Sequence, residues 1–424
     1  MSARPPPLRL YALAAGLAEP FARRALRARA RRGKEDPDRL GERLGFASRP
    51  RPQGEVAWLH GVSVGESLSL IPLARGLMAR RPGLSLVVTT GTVTAARLMA
   101  ERLPPGAIHQ YAPVDGPAAA ARFLDHWRPS AAILAESELW PNLILAARAR
   151  GVRLALVSAR MTQASARGWA RAPAAARALL ECFETVMPQD QASAARLAAL
   201  GARLGPALNL KRVGEPPPCD AEALSNLRQA IDARPVVAAV STHPGEEILI
   251  AEAFREASRN VAGRPLLIIL PRHPERGAGL ATELTSQGFT CARRSLGEAP
   301  EGEIYLADTL GETGLVLRLA AAVVMGGGFA AGIGGHNPLE PARLGAPVLT
   351  GPDVFNAREL YEEMFAEGAA IPAADGAALV RHMKGLLTYP HIARRMGEAG
   401  LAYAARQGAA LEAALDRLAP LVAP

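Results

Sequence analysis

Short apolar runs alternate along this chain with stretches of helical periodicity. Val56 to Leu59, Leu84 to Thr90, Ala131 to Ala135, Val152 to Ser158 and Thr185 to Met187 are nearly continuous in apolar residues, as strands buried on both faces are. Between them, segments such as Pro141 to Arg150 and Ala192 to Leu200 repeat apolar residues every third or fourth position and predict helices. Strand and helix in alternation imply βαβ units on a parallel sheet. The pattern breaks at Gly214-Glu215-Pro216-Pro217-Pro218, where consecutive prolines can continue neither a helix nor a central strand. A second series follows: Val236 to Ser241, Leu266 to Leu270, Ile304 to Ala307, Ala322 to Met325 and Pro347 to Thr350. The expected fold is α/β, two doubly wound Rossmann-like domains joined by a proline hinge. In such sheets ligands collect at the carboxyl ends of the strands, and two such crevices can face each other.

The residues ahead of the first domain follow another rule. Leu10, Leu13, Leu17 and Phe21 recur at helical spacing, and Arg23, Arg24, Arg27, Arg29, Arg31, Arg32 and Lys34 come directly behind them. Residues 1–34 therefore read either as a basic amphipathic helix lying on an anionic surface or as a solvated helix packed on the first domain. The apolar part is short and interrupted by Glu19 and Pro20, so a spanning helix is not expected. The remaining boundaries are a first domain over 35–213 and a second over 219–424.

Composition narrows the classes. The 424 residues exceed what one core usually supports, and 49% hydrophobic with 21% charged residues is ordinary globular composition. The net charge is +9, but aromatics are only 4% and no basic run is interleaved with stacking side chains, which argues against a nucleic-acid partner. Cys182, Cys219 and Cys291 are far apart and odd in number, so neither a disulfide framework nor a zinc site is suggested.

Candidate chemistry gathers after the strands. Ser63-Val64-Gly65-Glu66 leads into Leu68 to Leu73 and has two readings: a capping box, or a carboxylate at a strand end acting as general base. Ala135-Glu136-Ser137-Glu138 follows another strand. If the strand continued, both carboxylates would point the same way; otherwise Glu138 caps the helix starting near Pro141, and Glu136 is the functional candidate. In the second half, three clusters follow successive strands: Ser241-Thr242-His243-Pro244-Gly245-Glu246-Glu247, Pro271-Arg272-His273-Pro274-Glu275-Arg276, and the glycines Gly326 to Gly328 and Gly332 to Gly335 ahead of His336 to Glu340. Glycines admit a phosphate close to the backbone, helix amides bind it, and arginine offers a bidentate fork, so these suit a nucleotide. No dinucleotide fingerprint follows the first strand and no Walker lysine appears, so hydride and ATP chemistry recede. Asp36-Pro37-Asp38 is not at a strand end and makes no metal site.

The motifs taken in order resemble the Kdo transferases, which move 3-deoxy-D-manno-octulosonic acid from CMP-Kdo to a lipid A precursor. The likeness runs from Gly41-Glu42-Arg43-Leu44-Gly45-Phe46 to Phe355-Asn356. It is most specific at Ser63 to Glu66, Glu138-Leu139-Trp140-Pro141-Asn142, Pro271 to Arg276, Asp308-Thr309-Leu310-Gly311-Glu312 and Gly334 to Glu340. The resemblance implies a GT-B architecture, its two domains facing a central cleft, with acceptor held by the first and CMP-Kdo by the second. It implies inversion at the anomeric carbon with no metal and no cofactor. Position by position, Glu66 matches the proton acceptor, Glu136 a transition-state carboxylate and Lys211 a stabilising lysine. Pro271 and Arg272, Leu310, Gly311 and Glu312, and Asn337, Pro338, Leu339 and Glu340 match stretches that hold CMP. The family's membrane anchor falls on residues 8–34, implying the cytoplasmic face of the inner membrane, peripheral or N-terminally anchored. Two positions depart: Leu208-Asn209-Leu210-Lys211 keeps the lysine but alters the turn before it, and Asp353 stands where a histidine is usual. The competing readings are a GT-B enzyme with another nucleotide sugar or acceptor, a lipid- or nucleotide-binding protein of the same fold without activity, and a dehydrogenase.

Overall fold

A computed structural model describes residues 4–422. The chain divides into two compact units, Met1–Gly214 with Gln407–Pro424, and Glu215–Arg406. The first contains six strands: β1 (Val56–His60), β2 (Ser85–Thr90), β3 (Ala107–Tyr111), β4 (Ala131–Ala135), β5 (Arg153–Ala159) and β6 (Phe183–Pro188). All neighbours pair in parallel in the order β3-β2-β1-β4-β5-β6. The connections leave β1 in one direction and β4 in the other, so the topological switch point lies between these two strands.

The second unit contains β7 (Val236–Thr242), β8 (Leu266–Pro271), β9 (Cys291–Arg293), β10 (Ile304–Leu306), β11 (Ala322–Met325), β12 (Val348–Thr350) and β13 (Ala370–Pro372). The order is β13-β12-β11-β7-β8-β10-β9, again wholly parallel. Its switch point lies between β11 and β7. Helices cover both faces of each sheet and bury the strands almost completely, which is why the strands read as continuous apolar runs. Several helices start at a side-chain cap: Thr92, Thr162, Asp190, Asp220 and Asp375 each accept from a backbone N–H three residues on.

The second domain does not extend to the C-terminus as its sequence boundaries suggested. Helix Pro390–Leu418 carries Ala414, Leu415 and Leu418 into the first unit's core, where Leu421 and Val422 join Leu70, Leu73 and Leu77 of helix Val64–Arg80. Leu415 lies over Gly76, and its methyls occupy the space a Cβ there would need. Arg80 is ion-paired to Glu412 and Asp416, and Arg153 donates to the Pro420 carbonyl.

Candidate active site

In the first unit, the three residues expected to carry chemistry follow the two strands flanking the switch point or sit in a short helical turn. Ser63 is the N-cap of helix Val64–Arg80. Its Oγ accepts from Glu66 N at 3.3 Å and donates to Glu66 Oε1 at 2.7 Å, while Val62 N donates to Oε2 at 2.8 Å. The capping box is thus formed, and the Glu66 carboxylate is turned to the helix start. A carboxylate offers about four lone-pair positions. Two are used here, so capping leaves Glu66 able to accept from a hydroxyl.

Glu136 follows β4 in a left-handed conformation, φ 59°. That break ends the strand, so Glu136 and Glu138 do not project side by side. Glu136 is buried, and its Oε1 is 2.6 Å from Lys211 Nζ. Lys211 lies in the turn Leu210–Arg212, whose N-cap Asn209 accepts from Lys211 N at 3.1 Å. The stem of Lys211 passes over Gly65, its Cε 3.9 Å from where a Cβ would stand. Glu136, Lys211 and the turn bearing Glu66 therefore share the carboxyl end of the sheet.

Glu138 does not cap the helix Pro141–Ala149. That role belongs to Asp115, from the loop after β3, which accepts from Asn142 N at 3.2 Å and Leu143 N at 2.8 Å. Glu138 instead accepts from Trp140 Nε1 and lies 3.5 Å from Nε2 of the buried His60.

In the second unit, the residues matched to CMP lie at the carboxyl ends of β8 and β10 and in the loop and short helix after β11. Pro271 closes β8, and Arg272 beyond it is exposed while its N–H donates to the Thr242 carbonyl at 2.9 Å. After β10, Leu310 is fully presented at 85% exposure and Gly311 has φ 83°. Glu312 pairs with Arg294 at 2.5 Å and accepts from Thr309. Burial would raise its carboxyl, but the Arg294 and Thr309 hydrogen bonds and the Arg294 charge win and hold it below its ordinary value. Asn337 Oδ1 accepts from Leu339 N at 3.1 Å and starts the short helix Leu339–Ala342. The Leu339 side chain is wholly in the core, which leaves only its backbone for contacts outside it. Burial pushes the Glu340 carboxyl up against the pull of Arg343 and Arg272.

The acidic residues after β7 turn inward. Glu246 is buried and accepts from His243 N at 2.9 Å, Gly327 N at 2.7 Å and Phe329 N at 2.8 Å. Glu247, equally buried, pairs with Arg276 at 2.8 Å and accepts from Thr242 Oγ1 at 3.2 Å. These two carboxylates brace the loops after β7, β8 and β11 against one another. Their position at the start of an apolar helix is the one sequence signal of that role. His243 and His336 meet through their Nε2 atoms at 2.8 Å, a pairing the spacing in sequence does not reveal.

Comparison with known proteins follows this geometry. The family model described as "3-Deoxy-D-manno-octulosonic-acid transferase (kdotransferase)" matches residues 38–212. A 3-deoxy-D-manno-octulosonic acid transferase of Bordetella pertussis is 35% identical over 394 residues, 90% of this chain and 90% of that protein. This chain belongs to the Kdo transferase family. A probable mitochondrial member from Arabidopsis thaliana is also 35% identical, over 84% of this chain and 82% of that one. Among solved structures, a glycosyltransferase from Rickettsia africae aligns with a TM-score of 0.57 over 88% of this chain and 99% of its own at 9% identity, a likeness of fold. This Kdo transferase is a glycosyltransferase with the two parallel-sheet domains of the GT-B fold. Its family-matched segment contains Glu66, Glu136 and Lys211.

The N-terminal helix of this Kdo transferase, Pro6–Ala30, has two faces. At about 100° per residue, Leu8, Glu19 and Leu26 share one side. Leu8 and Leu26 are buried, and Glu19 accepts from Ala118 N at 2.9 Å and pairs with Arg122 at 3.1 Å. The opposite side presents Leu10, Leu13, Leu17 and Phe21, between 62% and 71% exposed. The helix packs on the first unit and still shows an apolar stripe. Among the described residues no helix is long and apolar enough to cross a membrane.

Proposed function

We propose that this enzyme transfers Kdo from CMP-Kdo to a lipid A precursor, with inversion and without a metal. The observation that carries the reading is the Lys211–Glu136 ion pair beside the turn of Glu66, at the switch point of the first sheet, in a chain of this family. Glu66 takes the proton of the acceptor hydroxyl as its oxygen attacks the anomeric carbon from the face opposite CMP. The bond from that carbon to the phosphate oxygen breaks, and its electron pair stays on the phosphate. The phosphate thereby gains a second negative charge, which a cationic side chain offsets electrostatically. Glu136 positions the ammonium of Lys211. The second unit holds the nucleotide through Pro271 and Arg272, Leu310 to Glu312, and Asn337 to Glu340.

The apolar stripe of Leu10, Leu13, Leu17 and Phe21, with Arg24 and Arg27 beside it, supports peripheral contact with an anionic bilayer, as at the cytoplasmic face of the inner membrane. The reading is tested by incubating the enzyme with CMP-Kdo and a lipid A precursor and weighing the product. One or more added Kdo masses are expected, and an unchanged acceptor sinks it. Glu66→Ala is expected to lose activity by about 10²–10⁴-fold while CMP still protects the protein against thermal unfolding. Near-normal turnover removes Glu66 from the role of base. Protection by UDP in place of CMP points instead to a GT-B enzyme for another donor.

A further inference from the structure

The two imidazoles at the switch point of the second sheet are more than packing. His243 follows β7 and His336 ends the glycine loop after β11, and their rings are parallel within 5° with centroids 5.1 Å apart. Both are half-buried. Gly327, at φ 77°, admits the His336 ring: a Cβ there would stand 3.2 Å from Cδ2 and 3.3 Å from Nε2. Glu246 fixes both sides of the pair, through His243 N and Gly327 N.

A contact of 2.8 Å between two Nε2 atoms requires one to donate and the other to accept. In the neutral pair, the donating ring then has a bare Nδ1 and only the accepting ring carries an Nδ1–H. One added proton gives both rings an Nδ1–H and the pair one positive charge. The neutral pair is a poor receptor for an anion, and the protonated pair is a cationic receptor with two donors.

We propose that the His243–His336 pair is a proton-loaded receptor for the phosphate of the nucleotide donor, taking up one proton as the anion binds. This rests on the reading of the second unit as the nucleotide domain. The surroundings suit a proton that arrives with its ligand. Burial, followed for His336 by its partner's charge and Arg272, lowers both histidines below their ordinary value. The groups facing them are Glu246 and Glu247, which favour the proton at His243, Glu246, which favours it at His336, and Arg272 and His273, which oppose it. The free pair is therefore mostly neutral at pH 7, and an anion restores the proton. Among the described residues no third His, Cys, Asp or Glu completes a metal-binding group there. During transfer the proton remains on the pair, and its charge offsets the second charge that the departing phosphate acquires.

The test is calorimetric titration of the full chain with CMP between pH 7 and 8.5, in buffers of different ionisation enthalpy, with cytidine and UDP alongside. CMP binding with uptake approaching one proton, and affinity falling by up to about tenfold per pH unit, is expected. His243→Gln and His336→Gln should each abolish that uptake while leaving cytidine binding in place. CMP binding without proton uptake by the unaltered protein overturns the proposal and leaves the donor assignment standing. Binding of UDP rather than CMP with the same uptake overturns the donor assignment and keeps the receptor.

Discussion

The ammonium of Lys211 is half exposed, whereas the carboxylate it serves is buried. Removing the lysine therefore costs more than the contact, because Glu136 is left charged and without its cation. Lys211→Ala is expected to lower stability by about 1–3 kcal/mol. Adding Glu136→Gln, which discards the stranded charge, should recover part of it; denaturant midpoints of the three variants measure this, and strict additivity would contradict the pairing. The candidate residues could be picked out by type and by position after a strand. Where each side chain points could not. Glu66 forms the cap that one of its two readings expected, whereas Glu138, expected to cap, leaves the work to Asp115, a residue far away in sequence. Glu246 turns inward for the same reason, since a buried N–H from another loop attracts a carboxylate more than open solvent does, and Glu247 turns inward to the Arg276 guanidinium and the Thr242 hydroxyl.

At the level of elements, the buried strands announced themselves, as did the edge strand β6, but the other three edge strands did not. β3 (Ala-Ile-His-Gln-Tyr) lies at an edge and carries polar residues that only tertiary partners satisfy. Gln110 accepts from Trp127 Nε1 at 2.8 Å, and Arg39 donates to His109 Nδ1 at 3.2 Å. β9 and β13, at the edges of the other sheet, are too short to show a period. The His109 contacts have a consequence in pH. With Nδ1 accepting from a guanidinium, Nε2 carries the only proton and faces Thr90 Oγ1 at 2.9 Å. Burial first, then Arg39, lowers this histidine to about 3. The unfolded chain takes up a proton near pH 6.5 and the folded one does not, so the stability tied to this neutral ring is full above about pH 6.5 and is lost as pH falls toward 3. By pH 5 the loss is about 2 kcal/mol. His109→Asn should flatten that part of the stability profile, measured by urea unfolding at pH 7 and 5; an unchanged slope would remove His109 as its source.

For the molecule as a whole, two features act at long range. The chain carries a net charge of +9, and part of it flanks an exposed apolar stripe on the N-terminal helix. Each large side chain inserted fully into a bilayer contributes about 1.5–3 kcal/mol, and each basic residue near an anionic surface about 1 kcal/mol. Leu13→Glu with Leu17→Glu should weaken co-sedimentation with anionic vesicles by at least tenfold while leaving the fold intact, because these side chains face away from Leu8 and Leu26. Wild-type binding should weaken as salt rises. If the double variant binds as the wild type does, the stripe is not the contact. The second feature is the C-terminal segment. Deleting residues 407–424 removes Leu415, Leu418, Leu421 and Val422 from the first unit's core. At about 1.5–3 kcal/mol each, the loss rivals the whole stability of a domain. The shortened chain is expected to show a first unit that no longer unfolds cooperatively, with the second unit's transition retained.

That returning segment also sets an order of events during synthesis. The first unit precedes the second in the chain, yet part of its core is made only after all of Glu215–Arg406. At elongation rates of about 5–20 residues per second that interval lasts roughly 10–40 s. Throughout it, Leu70, Leu73 and Leu77 lack their final neighbours while the second unit has every residue it needs. Of the two units, the one encoded earlier is thus completed later, and its exposed helix waits where nascent chains are handled by chaperones.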